Sequence, residues 1–245
     1  MLKLDWCGER KTTTAAQPDW KKWLPRNPTS SHWYDLERFM RLIAAYIAHD
    51  ADLGKKDRPV RAFVSEFDGL TSTAKQTKVL DETGLKRASL ASLAATGEID
   101  SATAGKLLVA MKRASKSIKP ERLGTIGKDF LRSRFESVGC QPESFSYKKS
   151  VGETGGIPWV QEVAFGYCPQ ARSRRFVTGV NWSPGIINPF RELGRFGRSL
   201  DSVLESLYVS QRDPVVMLLH LSCPRVEYTD RGKSAVVVGG QEEEE

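Results

Sequence analysis

Near the C-terminal end stands a segment whose residues suit phosphate chemistry: His220-Leu-Ser-Cys-Pro-Arg-Val-Glu-Tyr-Thr-Asp-Arg-Gly-Lys233-Ser-Ala. It follows an apolar run, Val215 to Leu219, that reads as a buried strand. A lysine beside a glycine at the end of a rigid strand is well placed to reach a phosphate. Glycine lets the backbone come close, and the ammonium is a compact point charge. The ordinary alternative is a surface loop with an exposed lysine. A phosphate-cradling P-loop is excluded, because its first glycine would have to stand at Glu227.

Other candidate chemistry is sparse. His32, His49 and His220 are the only histidines, and Cys7, Cys140, Cys168 and Cys223 lack metal-ligand spacing, so a zinc site is not expected. Free thiols in a reducing compartment are expected instead. Asp50-Ala-Asp52 has the spacing of a metal-binding pair but sits in a polar helix end and reads as incidental. His220, ending a buried strand, reads as a hydrogen-bonded core histidine rather than a catalytic one. No nucleophile, base and orienting group come together in the sequence, which argues against an independent enzyme.

The elements that must position these residues change character once along the chain. Residues 1–34 hold many Thr, Pro, Lys and Trp and little periodicity, and read as an irregular arm whose tryptophans dock elsewhere. Residues 35–119 read as helical. Asp35 caps a helix with Leu36, Phe39, Met40, Ile43 and Ile47 on one face. Pro59 suits a first helical position, before the stripe Val60, Phe63, Val64 and Phe67. Ser72 starts another helix and Gly84 caps it. Asp100 or Ser101 opens a helix through Leu107, Leu108 and Met111. Residues 120–238 alternate: a short helix around Phe130, Leu131 and Phe135, strands near Trp159–Tyr167 and Arg174–Asn181, a helix capped by Ser199, and the strand Val215–Leu221. A continuously apolar strand after a helix implies a sheet covered by helices. Residues 239–245 read as a disordered acidic tail.

The formal charge is +7 and the pI about 9.2, which suggests an anionic partner. From Gly105 to Ser150 eleven Lys or Arg face four acids. Arg172, Arg174 and Arg175 form a second cluster, with Arg191, Arg195 and Arg198 beyond. Solvated surface charge explains any single one of these; a DNA-backbone surface explains the clusters equally well. The turn Asp68–Thr73 offers glycine, hydroxyls and a helix N-terminus, with Lys75 and Lys78 just beyond, and suits either a DNA phosphate or a plain helix–helix turn. Lys112, Arg113 and Lys116 are further candidate DNA contacts. No run approaches the roughly 20 apolar residues of a membrane span, and Met1-Leu-Lys-Leu-Asp-Trp-Cys is too short and polar for a signal peptide, so a cytoplasmic protein is expected.

Several segments, in order, resemble the B subunit of topoisomerase VI, the type IIB DNA topoisomerase. They are Val60 to Gly84 around Phe63-Val-Ser-Glu-Phe-Asp-Gly69, Lys119-Pro-Glu-Arg-Leu-Gly-Thr-Ile-Gly127, Gln161-Glu-Val-Ala-Phe-Gly-Tyr167, Phe176 to Pro189 with Asn181 and Pro184, and finally His220, Ser222, Tyr228, Thr229 and Lys233. The resemblance spans roughly residues 20 to 238, and the collinear order is its strongest feature. It implies an α+β/α/β architecture: a helical helix–two-turns–helix domain, then an α/β transducer domain similar to the second domain of ribosomal protein S5. It implies that Lys233 reaches the γ-phosphate of ATP bound in a neighbouring GHKL ATPase domain, with Asn181, Thr229 and Gly232 in supporting loops. Asn181 before Trp182-Ser-Pro184 is also a plain turn former.

The GHKL signature itself, a helical Glu and Asn with an Asp-x-Gly-x-Gly loop, is not found, and neither is the strand-breaking tyrosine with its acidic metal cluster. ATP and Mg²⁺ are therefore expected only through a missing or partner ATPase domain, and the chain is not expected to hydrolyse ATP alone. A split gene, a misplaced start or a repurposed module would each account for this. The implied partners are DNA, a GHKL ATPase domain, a strand-cleaving A-type subunit and a second copy of the chain; no membrane is implied. The other reading is a stand-alone basic DNA-binding or adaptor module without the motor.

Overall fold

The computed structural model describes residues 2–6, 9–13, 29–94, 97–184, 188–190, 200–228 and 235–236. The chain divides into two units, Leu24–Ile118 and Lys119–Glu245 together with Met1–Trp23. The N-terminal segment is not wholly irregular. β1 (Leu2–Trp6) and β2 (Glu9–Thr13) form an antiparallel ladder, Leu2 opposite Thr13 and Trp6 opposite Glu9. β2 is wholly polar, so although Leu2, Leu4 and Trp6 of β1 alternate with polar residues, the pairing of the two strands is not apparent from residue pattern.

In the helical unit, capping sets the boundaries. α1 (Leu36–Asp52) begins where the Asp35 carboxylate accepts the Arg38 N–H at 2.8 Å. α2 (Val60–Ser65) starts after Pro59, which is the N-cap rather than the first helical residue. α3 (Thr73–Thr83) is capped by Ser72 and ends at Gly84, whose φ of 72° is the left-handed conformation glycine adopts cheaply. α4 (Ser101–Ala114) starts where Asp100 accepts the N–H groups of Ala102 and Thr103. The apolar stripes meet in one core of Phe39, Ile43, Val60, Phe63, Leu80 and Leu107 with their neighbours. Phe63 and Phe67 pack edge to face with ring centres 5.2 Å apart. Asp50 is held by Arg58 Nε and Nη2, at 2.8 and 3.0 Å, so its buried carboxylate is a structural ion pair rather than a metal ligand. The Arg58 hydrogen bonds keep it below the usual carboxylate range.

The second unit continues with α5 (Lys128–Ser137), β3 (Ser146–Thr154), β4 (Ile157–Tyr167), β5 (Arg175–Val180), β6 (Ser183–Pro184), α6 (Leu200–Ser206) and β7 (Val215–Ser222). The sheet order is β3-β4-β7-β5-β6. β7 runs antiparallel to β4 and parallel to β5, so the sheet is mixed. This central position explains its unbroken apolar run: Val216 packs under α5 with Leu131, Phe135 and Ala164, while Leu219 faces Phe190 and Val236 on the other side. β3 is an edge strand that the sequence reading left out. Its turn, Gly155-Gly156, has φ values of 57° and 80°, as a two-residue hairpin needs. Helices and a mixed sheet together make an α+β molecule.

Candidate functional site

The strand register brings three remote positions into one row. Glu162 of β4 stands opposite His220 of β7, and His220 stands beside Gly179 of β5. Glu162 is fully buried and His220 is 3% exposed. The Glu162 carboxylate lies 3.2 Å from His220 Nδ1, accepts the Tyr147 hydroxyl at 2.8 Å, and accepts the backbone N–H groups of Ile126 at 2.8 Å and Gly127 at 2.9 Å. Burial by itself would raise the pKa of this carboxyl. The hydrogen bonds from His220, Ile126, Gly127 and Tyr147 more than offset that and hold it at about 2. Burial, and then the bond to this carboxylate, push the Tyr147 hydroxyl up in turn. Gly127 is the N-cap of α5 and brings no side chain to the task. Glu162 thus caps a helix from another element, and it is ionised, accepting and fully used. His220 is a hydrogen-bonded core histidine.

Above this row lies the turn that joins β5 to β6. Asn181 and Trp182 have φ of 50° and 67°, the left-handed pair of a tight hairpin turn. Asparagine tolerates that region; tryptophan does so at a cost. The turn is held from three directions. Asn181 accepts the Cys223 N–H at 2.8 Å and donates to the Cys223 carbonyl at 2.7 Å. Its own N–H donates to Leu221 at 2.9 Å. Trp182 packs edge-on to His220 with centres 5.0 Å apart, and its indole N–H reaches the Leu123 carbonyl at 3.4 Å. The lead-in Lys119–Gly127 is therefore pinned twice, by Trp182 at Leu123 and by Glu162 at Ile126 and Gly127.

Asn181 is thereby placed at the C-terminal end of β7, where the chain departs toward Lys233. Lys233, Thr229 and Gly232 lie outside the described residues. The chain on either side is placed: Tyr228 pairs with Val236, and the Val236 N–H donates to the Pro189 carbonyl at 2.7 Å.

The basic candidates fall in both units. In the helical unit the Lys75 ammonium donates to the Gly69 carbonyl at 2.8 Å, closing the turn before α3. The buried Gln76 side chain donates to the carbonyls of Leu70 and Thr71, at 3.1 and 3.0 Å, from inside the same turn. A Cβ on Gly69 would stand 3.5 Å from that of Ser115, so the turn and the end of α4 adjoin, and Lys116 follows directly. Lys78 and Lys116 are exposed and Lys112 is half-buried. Arg113 pairs with Glu82. In the sheet unit Arg172 and Arg175 are exposed. Arg174 is not: its side chain is 3% exposed, pairs with Asp201, donates to the Val209 carbonyl and lies 4.8 Å over Phe176. The guanidinium is committed to joining β5 to α6, which removes it from the phosphate ligands expected from sequence. Arg191, Arg195, Arg198 and residues 239–245 lie outside the described residues.

Glu162, Tyr147 and Trp182 were not singled out as site residues. The signal for Glu162 was a lone carboxylate within the apolar run Trp159–Tyr167, which a buried strand tolerates only with partners. Among the described residues no group of three or more His, Cys, Asp or Glu could hold a metal, and no helix is long and apolar enough to cross a membrane.

No protein-family model matches the chain, and no curated protein matches it. Among solved structures, the B-subunit of the DNA gyrase from Myxococcus xanthus is similar over 44% of this chain and 32% of that one, with 11% identity and a TM-score of 0.29. The chain thus spans about a third of the length of that protein.

Proposed function

We propose that this chain is the helix–two-turns–helix and transducer portion of a topoisomerase VI B-like ATPase, and that Lys233 is its switch lysine. One observation carries the reading. Asn181, drawn from the β5–β6 turn, grips the backbone of Cys223 just where β7 leads into the segment bearing Lys233, and that segment is closed behind by the Tyr228–Val236 pair. Asn181, the described residue among those matched to the family's loops, thus lies at the end of β7 from which the chain leaves toward Lys233. ATP and Mg²⁺ would be held by that GHKL domain. Lys233 would supply a charge-assisted hydrogen bond to the terminal phosphate, and so bias the angle between the two domains. A strand-cleaving subunit and a second copy of the chain complete the proposed assembly.

Reconstitution with a GHKL domain tests this. Lys233→Ala should slow ATP hydrolysis roughly tenfold to a hundredfold, the loss of one hydrogen bond to a charged group in the transition state. Far-ultraviolet circular dichroism of the chain should not change. Unaltered turnover would remove the role.

A second reading rests on a different observation: Lys75 and Lys116 flank the turn that Gln76 holds rigid, with Lys78 one helical turn on. In this reading the helical unit binds DNA backbone without any motor. Full-length chain would then bind duplex DNA with an affinity that falls steeply from low to moderate salt.

A further inference from the structure

Cys140 and Cys168 are 5% and 4% exposed and share one core with Leu131, Phe135, Ala164 and Val216. They are far apart in sequence, one just past α5 and the other just past β4. The residue beside each is joined across the gap: the Gln141 N–H donates to the Tyr167 carbonyl at 2.8 Å. The two thiols themselves lie within hydrogen-bonding reach of each other. Glycines make the close approach possible from both sides. A Cβ on Gly166 would stand 3.2 Å from Cys140 Sγ, and one on Gly139 would stand 3.5 Å from Cys168 Sγ. Each thiol therefore occupies space left open by a glycine one or two residues before the other cysteine. The Cys168 thiol donates to the Val138 carbonyl at 3.2 Å, while Cys223, the third described cysteine, lies outside this core, its thiol donating to the Arg225 carbonyl at 3.2 Å.

We propose that Cys140 and Cys168 are a redox pair, which a disulfide oxidant such as glutathione disulfide closes into a reversible intrachain disulfide. One cysteine, as thiolate, attacks a glutathione sulfur and releases one glutathione thiol. The second protein thiol loses its proton to solvent and attacks the protein-side sulfur of the mixed disulfide, releasing a second glutathione thiol. Two protein thiols are oxidised and one glutathione disulfide is reduced.

Burial, and then the adjacent Cys168 thiol, push the Cys140 thiol up to about 11. The thiolate fraction at neutral pH is therefore small. Closure is slow under ordinary conditions and accelerates as pH rises, which suits a pair that stays reduced until oxidant accumulates. The effect follows from position. α5 is already held at its start by Glu162; the disulfide would hold the chain just past its end to the same strand, β4. Both ends of the helix would then be fixed to the sheet.

The test uses the full-length native chain. It is incubated with excess glutathione disulfide at mildly alkaline pH, alkylated, and read by intact mass and peptide mapping. Relative to the reduced chain alkylated in the same way, the expected product carries two fewer alkyl groups and no glutathione on Cys140 or Cys168, contains a Cys140–Cys168 cross-link, and before alkylation melts several degrees higher and reverts with dithiothreitol. Cys168→Ser should abolish the cross-link and the shift, whereas Cys223→Ser should keep both. Stable glutathione adducts on either cysteine without the link, a link through Cys7 or Cys223, or no oxidation of the folded wild-type chain would each overturn the proposal. The wild-type mapping decides the matter even if a serine variant folds poorly.

Discussion

Glu162 shows how one ionised side chain organises a fold. A carboxylate removed from water is costly unless every lone pair finds a donor, and here Tyr147, His220, Ile126 and Gly127 provide them. Its pKa is depressed in the folded state, from 4.5 to about 2. The charged form is thus favoured by folding, and the stability it contributes is present above about pH 4.5 and lost as pH falls through about 2. Acid unfolding of the wild-type chain should therefore steepen across that window, and Glu162→Gln should flatten it. At neutral pH the same substitution should cost on the order of 3 kcal/mol in urea denaturation, the scale of breaking a buried hydrogen-bonded pair. An unchanged acid profile would mean that the carboxylate is not the anchor the geometry implies.

The elements carry two further expectations. The turn between α2 and α3 owes its shape to Gln76, whose buried amide satisfies the carbonyls of Leu70 and Thr71. Gln76→Ala leaves two carbonyls without their donor and should cost about 1–3 kcal/mol. If the turn is a phosphate site, the variant should also weaken DNA binding without altering any charge, read by fluorescence anisotropy on a labelled duplex. In the sheet, Trp159 lies across Gly152 of β3, its paired residue, and a Cβ there would meet Trp159 Cε2 at 2.7 Å. Gly152→Ala must displace the indole and should destabilise the β3–β4 hairpin by about 1–3 kcal/mol. A shifted tryptophan emission maximum would report the movement, and an unperturbed spectrum with full stability would count against it.

For the molecule as a whole, a charge of +7 is distributed over both units, and its consequence for DNA is a matter of how many cations remain available. Arg174 and Arg113 are engaged with Asp201 and Glu82, whereas Lys78 and Lys116 are exposed beside the Gln76 turn. If DNA lies against that turn, a variant with Lys75, Lys78 and Lys116 changed to alanine should lower the slope of log affinity against log salt by up to about 3. Changing Arg172 and Arg175 instead should leave the slope unaltered. The reverse result would move the interface to the sheet unit.

Much of the architecture was legible because it is written in local signals. Asp35, Ser72, Gly84 and Asp100 bound their helices through their own backbone or side-chain preferences, and the stripes Phe39–Ile43 and Val60–Phe67 carry the helical period that core burial requires. β7 announced itself by an apolar run too long to face water on either side. What local pattern could not carry is pairing. β3 is polar because it is an edge, and its Gly155-Gly156 hairpin was the overlooked cue. In the β1–β2 hairpin, Leu2, Leu4 and Trp6 do alternate with polar residues, but the partner strand Glu9–Thr13 is wholly polar and gives no sign of the pairing. Glu162, His220 and Gly179 form one row only because β4, β7 and β5 adopt a particular order and register. The same register sets Asn181 against Cys223, and the return of the chain after α5 to the end of β4, through the Gln141–Tyr167 backbone bond, sets Cys140 beside Cys168. Arg174, read from sequence as one of three surface cations, is buried because β5 and α6 close over it. Sequence by itself determined which segments are helix, which is the central strand, and that the chain carries excess positive charge. Strand order and register decided which polar groups meet, since hydrogen bonds and buried charges depend on neighbours that sequence spacing does not reveal.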